Sequence, residues 1–151
     1  MRTYACALLV VVFAIDGVSG EDKSTNTSRY GITPDVKTYP QDTAKETLAS
    51  VLRAVEAKRV DYVVAQLADP RFIDQRVRGT YGGRFEEQVE DTRARLDPLT
   101  IKQLQRFLKD GKWKEEDKHV TVRLKGEERC LNFKQENGRW FLEHASQPAA
   151  R

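Results

Sequence analysis

Two histidines and two cysteines in 151 residues leave little material for metal or thiol chemistry. A zinc-type site needs three or four ligands, drawn mostly from these two residue types. One cysteine, Cys6, sits in an apolar N-terminal run that is expected to be removed. Cys130 then remains alone, so an internal disulfide is excluded. It lies mid-strand on the polar face of the sheet derived below and reads as an ordinary strand residue. Serines are few, and none lies in a Gly-x-Ser-x-Gly turn, which argues against a serine hydrolase. The glycine-rich stretch of residues 79–83 lacks the Gly-Lys-Ser/Thr ending and is no phosphate-binding loop. The formal net charge is only +3 although 32% of the residues are charged. Signs are interleaved, as on a solvated surface and unlike a nucleic-acid footprint. No apolar run approaches the roughly 20 residues of a transmembrane helix.

The N-terminus has the layout of a signal peptide. Arg2 is the positive start, residues 5–15 are uninterruptedly apolar, and Val18-Ser19-Gly20 offers a small-residue cleavage site. An uncleaved anchor is the alternative. Cleavage near Gly20 would make the protein secreted or periplasmic, with no membrane association afterwards. Arg2 and Asp16 would leave together, so the net charge would stay at +3. The expected organisation is a signal peptide (1–20), a flexible polar leader (21–40), one α+β domain (41–144) and a frayed tail (145–151). Asn26-Thr27-Ser28 is a glycosylation sequon, meaningful only in a eukaryote.

The stretch 119–144 reads as three antiparallel strands. Asn137-Gly138 suits a type I′ hairpin turn, and Gly126-Glu127 suits a type II′ turn with glycine first. The first turn pairs Glu136 with Arg139, Phe133 with Leu142 and Leu131 with His144. The second pairs Lys125 with Glu128, Arg123 with Cys130 and Val120 with Phe133. Side chains alternate across a strand, so one face gathers Val120, Val122, Leu124, Leu131 and Phe133 with Trp140, Leu142 and His144. The opposite face is polar except for Cys130 and Phe141. A one-residue slip in either hairpin would destroy this sorting. One face of the sheet must therefore be covered.

Helices upstream supply the cover. Thr43-Ala44-Lys45-Glu46 is a capping box, followed by Leu48, Val51, Leu52 and Val55 on one stripe. A short helix is expected over residues 60–67, ended by Asp69-Pro70. Residues 71–74 read as extended. A third helix carries Phe85, Val89, Thr92 and Leu96; its charged face (Glu86, Glu87, Glu90, Asp91, Arg93, Arg95) reads as solvated surface. A fourth starts at Asp97-Pro98, carries Ile101, Leu104, Phe107 and Leu108, and stops at Gly111. Trp113 begins the approach to the sheet.

The stretch from Leu52 through Asp61 and Leu67 to Asp69 resembles the opening of NTF2-like and SnoaL-like domains. There a long helix and a second short helix end in Ala-Asp. The segment Asn137-Gly138-Arg139-Trp140-Phe141-Leu142 resembles their final strand. The likeness spans about residues 43–144 and extends to small exported bacterial proteins of unassigned function that end in Arg-Trp-x-Leu-Glu. It implies an NTF2-like cone, a curved sheet wrapped on helices with a cavity between them. One departure is that 85–108 reads as helix where the family usually has strand, which leaves the cone less complete. Members include isomerases, cyclases and non-catalytic binding or association modules, and fold does not choose among them.

No residue set announces a reaction, so no catalytic residue, metal ligand or cofactor is assigned. His144, on the apolar face, is the strongest polar candidate for acid–base work. His119 falls on the other face, so the two histidines cannot share a metal. Asp61 and Asp69 read as helix caps. A ketosteroid-isomerase-like scheme could draw on Asp74, Tyr62 and Tyr81, but no spacing demands it. The expectation is an exported, non-catalytic domain that binds a small apolar ligand or a protein partner on the concave sheet face, at Leu131, Phe133, Trp140, Leu142 and His144. The alternatives are a SnoaL-like isomerase or cyclase using His144 with a carboxylate, and a homodimer formed through the outer face around Phe141 and Cys130.

Overall fold

The computed structural model describes residues 27–144, and the expected signal peptide, the start of the leader and the tail lie outside them. Within these bounds the fold is α+β: five helices followed by an open four-stranded antiparallel sheet.

Helix α1 (Ala44–Glu56) starts at the capping box. Thr43 Oγ1 accepts from the Glu46 amide, and Glu46 Oε2 accepts from the Thr43 amide, both at 3.1 Å. Helix α2 opens as one α turn (Val60–Tyr62) and continues as a π-helical turn (Val63–Leu67). The wide turn closes through the Ala68 amide, which donates to the Val63 carbonyl at 2.9 Å. All of Val63–Leu67 is buried, so this short helix is a core element on every side.

Residues 71–74 are not extended; they belong to α3 (Pro70–Gly79). Asp69-Pro70 both stops the preceding helix and starts a new one. Asp69 Oδ1 accepts from the Arg71 amide at 3.0 Å, and proline occupies a first-turn position where no amide is needed. The same device opens α5 (Pro98–Asp110), where Asp97 accepts from the Thr100 amide at 2.7 Å. Between them lies α4 (Phe85–Arg95).

The sheet has one strand more than expected. β1 (Lys112–Glu116) precedes β2 (His119–Arg123), β3 (Cys130–Glu136) and β4 (Arg139–Leu142). β1 hid because Lys-Trp-Lys-Glu-Glu shows no apolar alternation; only Trp113 turns inward, 5.7 Å from the Phe133 ring. The register is as read from the sequence: Val120 opposes Phe133, Arg123 opposes Cys130 and Phe133 opposes Leu142. Asn137 and Gly138 both have positive φ, as a type I′ turn requires. The β2–β3 turn differs. The Glu127 amide donates to the Leu124 carbonyl at 3.2 Å, which puts Gly126 (φ +81°) third in the turn. The ladder therefore ends at Arg123–Cys130, without the expected Lys125–Glu128 pair.

Helices α1 and α5 cover the apolar face. Leu48, Leu104 and Phe107 pack with Val122, Phe133 and Trp140 in one buried cluster. A second cluster joins Val64, Ile73, Val77, Phe85 and Val89 from α2, α3 and α4. Each large apolar side chain so buried is worth about 1.5–3 kcal/mol.

Both sheet edges are managed. β1 is charged and exposed. β4 is sealed by other parts of the chain: the Trp140 amide donates to the Gln41 carbonyl at 3.0 Å, and the Asp69 amide donates to the Leu142 carbonyl at 2.9 Å. The described part of the expected flexible leader instead packs on the domain. Arg29 donates to the Ala65 and Pro70 carbonyls and pairs with Asp74. Tyr30 stacks on Phe85 at 4.2 Å, and its hydroxyl donates to Asp74 at 2.6 Å. Burial and that hydrogen bond push the Tyr30 phenol up to about 12. Polar composition concealed two aromatic anchors, Tyr30 stacked on Phe85 at the surface and Tyr39, which is buried.

Gly111 ends α5 with ordinary backbone angles, so its lack of a side chain serves packing. An added Cβ would fall well inside contact distance of the Phe107 carbonyl oxygen and Val122 Cγ2. Gly111→Ala is expected to cost about 2 kcal/mol by overpacking. Urea denaturation measures this, and a loss below about 0.5 kcal/mol, the range of neutral surface changes, would contradict it.

Candidate ligand-binding cleft

The register that buries Phe133 carries the apolar stripe on toward Leu131 and Leu142, past the α1–α5 cover. Their side chains are only partly buried and border a cleft of about 210 Å³. The sheet supplies Leu131, Leu142 and His144 to it. The π turn supplies Val63 and Val64, and α3 supplies Phe72, Ile73 and Arg76. From α4 and its end come Gln88, Asp91, Thr92, Arg95 and Leu96. Val51 of α1 and Leu104 of α5 close the floor. Aliphatic side chains thus share the lining with charged groups, Arg76, Asp91 and Arg95 from the helices and Glu143 beside His144 at the end of the sheet.

The five expected site residues separate. Leu131, Leu142 and His144 line the cleft. Phe133 and Trp140 do not: they are 0% and 5% exposed and belong to the packed cluster beneath α1 and α5. Sequence alternation placed all five on one face but could not show how far the helical cover extends along it.

His144 stands exposed at the mouth, its ring stacked on Phe72 at 4.4 Å and 13°. Partial burial, then the positive charges of Arg76 and Arg95, hold its pKa below the ordinary imidazole value of 6.5. Arg76 is fixed by neighbours. Its Nε donates to Gln88 Oε1 at 3.1 Å and its Nη2 to the Tyr81 hydroxyl at 2.8 Å. Its guanidinium also lies 5.8 Å from the Phe72 ring and 5.5 Å from the Tyr81 ring. Asp91 Oδ2 is shared, 3.4 Å from Arg76 Nη2 and 3.1 Å from Arg95 Nη2.

Sequence reasoning missed Arg76, Gln88, Asp91 and Arg95. The α4 residues carried a signal: positions 88, 91, 92 and 95 share one helix face. That face borders the cleft: Asp91 is half-buried, which corrects its reading as solvated surface, while Arg95 is exposed at the cleft and Glu86, Glu87, Glu90 and Arg93 are exposed as expected. Arg76 was illegible because α3 was not recognised as a helix.

The other acid–base candidates are engaged elsewhere. Asp61 pairs with Arg59 at 3.0 Å, Asp69 with Lys134 at 2.7 Å, and Asp74 with Arg29. The Tyr62 hydroxyl accepts from the Asp35 amide and the Tyr81 hydroxyl from Arg76, both at 2.8 Å. Among the described residues no group of three or more His, Cys, Asp or Glu could hold a metal ion, and no helix is long and apolar enough to cross a membrane. The outer face offers less than the dimer expectation required. Phe141 is buried, with the Arg139 guanidinium 5.2 Å from its ring centroid, and Cys130 is half-buried. No family model, curated protein or solved structure matches the chain.

The His144 titration probes this geometry. Its midpoint by NMR is expected below 6.5, rising when Arg95→Gln removes one facing cation while Asp91 and Glu143 stay at the rim. A midpoint at or above the ordinary value would contradict the arrangement. Because the folded value lies below the unfolded one, the neutral ring's contribution to stability is present above the unfolded value and lost as pH falls through the folded one.

Proposed function

We propose that the chain is an exported, non-catalytic binding domain of NTF2-like type that takes a small apolar molecule in this cleft. The observation that carries the reading is the aliphatic floor where the sheet's apolar stripe outruns its helical cover. Concave, mostly apolar sites with a few convergent polar groups are the usual form of small-molecule sites. The volume of about 210 Å³ is below the roughly 300–1,000 Å³ of sites for drug-sized ligands, so the occupant is small. The π turn adds support, since such turns often occur at functional sites. Helices followed by a final sheet strand with Gly-x-Trp agree with the NTF2-like resemblance. The signal-like N-terminus supports export.

The isomerase or cyclase reading has less support. It needs a carboxylate free to act with His144, and Asp91 is held by two guanidiniums. The dimer reading loses its main contact with Phe141 buried within its own chain.

Calorimetric titration with neutral 3-phenylpropanol tests the proposal. One site is expected. Leu142→Trp fills the cleft from the sheet side and should weaken binding about tenfold, a loss of about 1.4 kcal/mol. Leu52→Trp, in the separate groove between α1 and α5, should leave it unchanged. Equal loss in both variants, or no binding of either this alcohol or the matching 3-phenylpropionate, would sink the reading.

A further inference from the structure

The cleft is apolar in its depth and charged only at its mouth. Arg76 is anchored before any ligand arrives, through Gln88, Tyr81 and the shared Asp91. Arg95 is more exposed, and its ion pair among the described residues is with that same Asp91 oxygen. One carboxylate oxygen thus serves two guanidiniums, each of which has five N–H donors in a fixed fork. Glu143 also borders the cleft. Its amide continues the β3–β4 pairing, donating to the Asn132 carbonyl at 2.8 Å. Strand alternation therefore turns its side chain away from the face of Leu142. Of the two carboxylates that border the cleft, Asp91 is the one within ion-pair distance of both cations.

We infer that the ligand of this cleft is a small monocarboxylate with an apolar body, its carboxylate bound at the mouth by Arg95 and Arg76. This rests on the reading of the cleft as a ligand site and goes further in naming the head group. Guanidiniums match carboxylates in geometry and bind them by charge-assisted hydrogen bonds. An amine head group is disfavoured, because Arg76 already occupies the vicinity of the Phe72 and Tyr81 rings where a cation would bind. Burial is the largest cause of the lowered His144 titration, and the facing charges of Arg76 and Arg95 add to it. Asp91 acts as an internal counter-ion that keeps the two guanidiniums together in the empty cleft and competes with the incoming carboxylate.

The test is calorimetric titration of the full chain with 3-phenylpropionate and 3-phenylpropanol at neutral pH and low salt. The carboxylate is expected to bind about tenfold more tightly than the alcohol, as one charge-assisted contact provides. Arg95→Gln, at an exposed position that folding does not depend on, should reduce the preference to about threefold or less. Asp91→Asn should tighten the carboxylate alone by about threefold, the size of an exposed ion pair. Binding of the carboxylate, but not of the alcohol, should raise the His144 midpoint. Equal affinities for the two probes, with both bound, would overturn the inference and leave the apolar-ligand reading standing. So would a preference that survives Arg95→Gln with no rise at His144. Failure of both probes to bind would overturn the apolar-ligand reading and this inference with it.

Discussion

Phe133 and Val122 disappear from solvent only if β3 keeps a single register against both of its neighbours. Everything else in the molecule depends on that constraint. Because side chains alternate with period two, a slip of one residue would turn Lys134 and Asn132 inward under α1 and α5. Two turns hold the register from opposite sides of β3. The Asn137-Gly138 turn does so with two positive φ angles. The β2–β3 loop does so with a different turn from the one its sequence suggests, yet the same pairs result. Burial of the stripe selects the register even where turn chemistry leaves latitude.

From the register the path to the cleft is short. β4 presents a free edge, and the chain closes it with Gln41 on one part and Ala68-Asp69 on the other. Gln41 is nearly solvent-free, and its amide donates to the Trp140 and Gln66 carbonyls at 2.7 and 3.1 Å while its oxygen accepts from Arg139 Nε at 3.1 Å. Asp69 bonds to β4 through its amide, to β3 through Lys134, and caps α3 through its carboxylate. The start of α3 is thereby fixed against the sheet. Less than one turn later Phe72 meets His144, and one turn beyond that Arg76 reaches the mouth. A capping aspartate at the sheet edge thus aims the wall of the proposed site.

The sequence made the sheet legible because alternation, two turn signals and one wet face all agreed. It made α1 and α5 legible through caps and stripes, and α4 through its stripe alone. It failed wherever a residue did two jobs. Asp69-Pro70 is both a stop and a start, and reading only the stop erased α3 with Phe72 and Arg76. β1 has no alternation to read, since a charged edge strand needs none. The leader's polarity outweighed Tyr30 and Tyr39 in composition, but not in packing. Of the site, the sheet's contribution was visible as an apolar face. Its extent was not, because where helices stop covering a sheet depends on their crossing and not on the stripe itself. Phe133 and Trp140 are buried inside the cluster, whereas Leu131 and Leu142 pack against it and stay partly exposed.

If the partly covered end of the apolar stripe forms a cavity that a small molecule can enter, it must also admit an inert apolar atom. A crystal of the protein equilibrated with xenon tests it most directly, since apolar cavities of this kind take up the gas. A xenon atom is expected among Val64, Leu104 and Leu142. Xenon only in the groove between α1 and α5, or none in the cleft while its aliphatic walls close together, would contradict it.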